Sequence, residues 1–121
     1  MTTRFRLGAL AAALAAGPAF ADPATVERIG AEEQGGTWRF SVTLRHGDTG
    51  WEDYADGWRV ELEDGTVLDT RELLHPHVDE QPFTRSLLGV VVPDDVSEVF
   101  IRARTSVEGW DETRWRHRIG D

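Results

Sequence analysis

The segment HPHVDEQPFTR, His75 to Arg85, holds two of the chain's four histidines, one proline apart and followed by Asp79 and Glu80. Pro76 biases His75 toward an extended conformation. Residues i and i+2 of an extended segment face the same side, with Cα atoms roughly 6.5–7 Å apart. The two imidazoles can therefore turn toward one ion. His46 and Asp48 form a second donor pair upstream, and Asp79 or Glu80 can add an oxygen. Three neutral nitrogens and a carboxylate suit Zn(II) or Cu(II), copper being the more tightly held by such donors. The expected ligands are His46, His75 and His77, with Asp48 beside them. The plainer reading of His-Pro-His is a surface turn whose side chains hydrogen-bond locally.

The elements that must position these groups read as strands. TWRFSVTLR (Thr37–Arg45) alternates cleanly, with Trp38, Phe40, Val42 and Leu44 on one face, and GWRVELE repeats the pattern with Trp58, Val60 and Leu62 inward. Asp64-Gly65 marks a tight turn before Thr66–Leu74. Phe83–Val92 is apolar enough to be central, and Glu98–Thr105 and Glu112–Ile119 complete the set after a weaker first strand, Thr25–Ala31. Seven short strands and no helical pattern predict a seven-stranded antiparallel sandwich of immunoglobulin or fibronectin type, with a small β-barrel as runner-up. If each strand runs the length of the sandwich, successive loops alternate between its ends. Parity then places His46, Asp48, His75, His77 and the Gly109-Trp110-Asp111 loop at one pole, where binding residues usually sit.

The remaining residues of that pole have supporting roles in this reading. Trp51, Tyr54 and Trp110 roof the site or form a surface for a protein or glycan. Asp53 belongs to the same loop. Arg85 can pair with Glu80 and hold the histidine loop in place. Trp38, Trp58 and Trp115 fall on core positions, and His117, in mid-strand, reads as a packed or edge histidine.

Composition bounds the function. MTTRFRLGALAAALAAGPAFA reads as a signal peptide, with Arg4 and Arg6 ahead of an apolar run and Ala19-Phe20-Ala21 as cleavage site. The expected product is residues 22–121, a single domain, periplasmic or secreted, without a membrane anchor. It contains neither Cys nor Met, which removes disulfides, thiolate nucleophiles and sulfur ligands. Losing Arg4 and Arg6 leaves 11 basic residues against 22 acids, a formal charge of −11. Such a surface repels nucleic acid and anionic membranes and attracts cations. No Gly-x-Ser-x-Gly, phosphate loop or His-Glu-x-x-His is present, and no calcium-loop spacing, so a non-enzyme is expected. Metal handling, together with another periplasmic protein as possible partner, is the first expectation. A non-catalytic module recognising a protein or glycan through the same loops is the second.

GWEDYADGW (Gly50–Trp58), HPHVDEQPFTRSL (His75–Leu87) and VPDDVSEVFIRA (Val92–Ala103) together resemble a group of small exported proteobacterial proteins of unknown function. The resemblance covers about Arg45 to Trp110. It implies a common sandwich and a shared pole without an assigned activity, and a histidine in relatives where this chain has Asp53.

Overall fold

The computed structural model describes residues 22–120. The expected signal peptide, residues 1–21, lies outside them. Eight strands form two antiparallel sheets that do not close into a barrel: β1 (Thr25–Gln34), β2 (Thr37–Arg45), β3 (Ala55–Glu61), β4 (Val67–Glu72), β5 (Phe83–Val90), β6 (Glu98–Thr105), β7 (Gly109–Trp110) and β8 (Trp115–Arg118). One sheet has the order β1-β2-β5. The other has the order β4-β3-β6-β7, with β8 also on β6. This is the expected all-β sandwich.

Period-two alternation builds the core. Phe40, Val42 and Leu44 of β2 face Trp58 and Val60 of β3 and Val99, Ile101 and Ala103 of β6 in one buried cluster. Trp58 is fully buried, and its truncation to Ala would cost about 3–5 kcal/mol on the usual scale for large core aromatics. The outer face of the smaller sheet is polar. Hydroxyl pairs Ser41–Ser86 (2.8 Å) and Thr43–Thr84 (2.7 Å) bridge β2 and β5 there.

Three sequence expectations change in detail. A short strand, β7, lies inside the segment Val107–Asp111 expected as a loop, and the last strand begins at Trp115 rather than Glu112. The reason is that Arg102 Nη1 donates to the Asp111 carbonyl at 2.6 Å and the Asp111 carboxylate accepts from Thr113 N–H, turning residues 112–114 off the β6 ladder. Leu62 lies beyond β3 and is only partly buried, whereas Glu61 is fully buried. And β5 is an edge strand, with Leu88 exposed; Arg71 of β4, the edge of the other sheet, donates to the Ser86 carbonyl at 2.8 Å. That side chain occupies part of the open ladder that an edge strand presents.

Strand pairing fixes the poles. Thr25 opposes Arg45, Leu44 opposes Phe83, Gly57 opposes Glu72 and Ala55 opposes Thr105. The loops 46–54, 73–82 and 106–108 therefore share one end with the start of β1, as parity predicts.

Candidate functional site

Asp48 is the hub of this pole. Its Oδ1 accepts from His46 Nδ1 at 2.6 Å and from Ala55 N–H at 3.0 Å, and Oδ2 accepts from His77 N–H at 2.8 Å. Both the His46 and Asp48 side chains are almost wholly buried. A buried carboxylate is tolerable only with such a set of donors. Gln81 adds a second tie between the same loops. Its Oε1 accepts from His46 N–H and its Nε2 donates to the His77 carbonyl, both at 2.9 Å.

The hydrogen bonds decide what the imidazoles can do. His46 Nε2 lies 2.9 Å from the Asp22 carbonyl oxygen. A carbonyl only accepts, so Nε2 carries a proton, and Nδ1 is committed to Asp48. Both nitrogens of His46 are thus engaged in hydrogen bonds, one with Asp48 and one with the Asp22 carbonyl. The His77 ring stacks on Phe83, with centroids 3.9 Å apart, and Arg85 Nη2 approaches its Nε2 at 2.7 Å. A guanidinium has only donors, so Nε2 accepts and the proton of neutral His77 sits on Nδ1. That Nδ1 is buried with no partner among the described residues. Burial first, then the positive charge of Arg85 and of His75, holds the His77 pKa below the usual imidazole value.

His75 is exposed, its ring centroid 4.7 Å from that of His77, and its Nδ1 lies 3.2 Å from the Pro76 carbonyl. The i, i+2 placement of the two rings is thus as expected. Convergence with His46 is a different matter. Among the described residues no three His, Asp or Glu side chains are arranged to hold a metal ion. His46 turns to Asp48, and His77 turns to Arg85.

The other expected residues take varied positions. Asp53 Oδ1 is buried without a hydrogen-bond partner among the described residues, 3.7 Å from His46 Nε2. Trp51 is 66% exposed and meets Tyr54 edge-on at 5.5 Å. Asp79 and Glu80 are exposed. Glu80 reaches Arg85 only at 3.9 Å, so the principal partner of Arg85 is His77 rather than Glu80. Trp110 packs on Arg59 and Arg104, with guanidinium carbons 4.0 and 4.9 Å from the ring centroid, and does not roof the histidines. His117 is half-buried at the sheet edge, and burial lowers its pKa.

Two residues escape sequence reading. Gln81 carries no signal beyond its place before Pro82. Glu61 does carry one: it alternates with Arg59 on the polar face of β3, and Arg59 pairs with Arg102 of β6. Its Oε2 accepts from Arg59 Nε and Arg102 Nε at 2.7 Å each, and its Oε1 from Arg102 Nη2 at 3.2 Å and Arg114 Nη1 at 3.4 Å. Burial pushes the Glu61 carboxyl up. The hydrogen bonds and charges of Arg102 and Arg59 outweigh it and hold the pKa below the ordinary carboxylate value.

Comparison with known proteins adds one relative. A protein described as "Putative lipoprotein" from Halomicrobium mukohataei is 45% identical over 71 residues, which is 59% of this chain and 34% of that protein. That relative is archaeal. The finding corrects the proteobacterial ascription of the sequence pattern, since the similarity found is to a halophilic archaeon's protein. The chain spans about a third of the relative's length. No family model matches the chain, and no solved structure matches it.

Proposed function

We propose that this chain is an exported, non-catalytic binding module that docks a protein partner on its histidine pole. Export is supported by the signal-like residues 1–21 and by the lipoprotein description of the archaeal relative. These 121 residues hold no cysteine, so they offer no thiol for acylation.

One observation carries the docking reading. Each of the three loops at this pole exposes a large apolar side chain: Trp51 at 66%, Leu74 at 75% and Val78 at 52%, and Val107 at 53%. Single exposed hydrophobics are ordinary, but a group of them on loops pinned from beneath is what an interface core requires. The Asp48–His46–Gln81 network pins the first two loops, and the third is tied to the first between Tyr54 and Ser106. Glu52, Asp79, Glu80 and Glu108 are exposed on the same loops. A partner with an apolar centre and a basic rim is complementary to that surface. Trp51 is the expected anchor, because tryptophan is enriched among interface hot spots.

Copper or zinc handling through His46, His75 and His77 is the competing function. It requires His46 to give up the Asp22 carbonyl or Asp48, and His77 to give up Arg85. The test combines two measurements. Immobilised protein and a Trp51→Ala/Val107→Ser variant of unchanged circular dichroism are exposed to envelope extract, and calorimetry follows Cu(II) and Zn(II) addition to protein and to a His75→Ala/His77→Ala variant. Salt-sensitive capture of a defined protein, lost in the first variant, is the expected result. Equal capture by both would overturn docking. Stoichiometric metal binding lost in the second variant would return the function to metal handling.

A further inference from the structure

A cleft of about 100 Å³ opens between the edge strands of the two sheets, lined by Arg71, Leu73, Leu74, His75, His77 and Arg85. Its composition is unlike the rest of the molecule. The chain has 22 acids against 13 basic residues, yet this lining contains two arginines, two histidines and no acid. The carboxylate nearest the arginines with a recorded contact is that of Glu80, 3.9 Å from Arg85 Nη2 and mostly in solvent. The Asp48 carboxylate meets the lining only at the His77 backbone N–H, where its donors already engage it. Glu72, next to Arg71 in sequence, gives its carboxylate to Arg104.

The hydrogen-bond inventory of the cleft is weighted toward donors. Arg71 uses Nε on the Ser86 carbonyl and Nη1 on the Glu72 carbonyl. Arg85 uses Nη1 on the Thr84 carbonyl and Nη2 on His77 Nε2. A guanidinium has five N–H groups, so each still has N–H groups to give. His77 is buried, and its Nδ1 has no partner among the described residues. The positive charge of Arg85 and His75, acting with burial, outweighs the opposing charge of Glu80 and Asp48 at His77. Clustered donors and like charges of this kind are relieved by an acceptor that carries negative charge.

We propose that this cleft binds a short aliphatic monocarboxylate. The arginine fork suits a planar carboxylate, which it pairs with in two parallel hydrogen bonds. Leu73 and Leu74 supply an apolar wall for the alkyl tail. A tetrahedral oxyanion would press oxygens against that wall, so phosphate fits less well. The volume limits the ligand to a few heavy atoms. This site adjoins the docking surface and shares Leu74 with it, but its arginines are not among that surface's apolar residues, and its occupancy requires no protein partner.

The test is a ¹H–¹⁵N chemical-shift titration of the protein with sodium acetate, sodium butyrate and sodium phosphate at constant ionic strength. Arg71→Gln and Arg85→Gln are carried in parallel. Saturable shifts centred on residues 71–77 and Arg85, tighter for butyrate than for phosphate, are expected. Each variant should weaken butyrate binding about tenfold, as loss of one charge-assisted bond predicts. If Arg85→Gln loosens the fold by releasing His77, Arg71→Gln, on the facing strand, carries the comparison. Absence of saturation, equal affinity in the Arg71→Gln variant, or phosphate binding as tight as butyrate would each overturn the proposal.

Discussion

Asp48 Oδ1 lies 2.6 Å from Nδ1 of His46, and both side chains are buried beneath the loops they join. The same carboxylate receives the backbone N–H groups of Ala55 and His77. The pair therefore sits at the foot of the loops 46–54 and 73–82 and sets their shape.

Asp48→Ala should destabilise the fold by about 3–5 kcal/mol, the usual cost of leaving one member of a buried pair uncompensated. Urea denaturation followed by tryptophan fluorescence measures this. A His46→Ala/Asp48→Ala double variant should lose clearly less than the sum of the singles, because the two share one interaction. Strict additivity would mean that the His46–Asp48 contact contributes nothing to stability.

Glu61→Gln should cost a similar amount at neutral pH, since three arginines converge on this buried carboxylate. The pH dependence has a definite sign. The folded pKa of Glu61 lies below its ordinary value of 4.5, so its contribution is fully present above that value and is lost as pH falls through the folded pKa. The stability gap between protein and variant should close in acid. A gap that stays constant from pH 7 to the acid limit would contradict the arginine clamp.

Gly57→Ala tests the neighbouring arginine. A Cβ at Gly57 would lie 2.8–3.2 Å from the Arg104 guanidinium, which is held by Asp56 and Glu72. The guanidinium would have to leave these partners, at a cost of about 1–2 kcal/mol. In an Arg104→Ala background the same substitution should be nearly neutral by thermal melting. A full penalty there would place the strain in the backbone instead.

Alternation along TWRFSVTLR and the buried Trp58 and Val60 made the sandwich legible without coordinates, because period two leaves one face for the core. Turn positions and strand parity likewise brought His46, Asp48 and His77 to one end. Beyond that, the outcome depended on partners remote in sequence. A histidine looks the same in sequence whether it faces an ion, a carboxylate or an arginine. Only the packed fold showed His46 committed to Asp48 and Asp22, and His77 to Arg85. The part played by Gln81 was hidden for the same reason, since its partners are backbone groups of His46 and His77 in two loops. The burial of Glu61 likewise depends on Arg102 and Arg114, remote in sequence. Apolar burial is written locally as periodicity, whereas polar satisfaction is decided across the tertiary structure, where each buried donor and acceptor finds its counterpart.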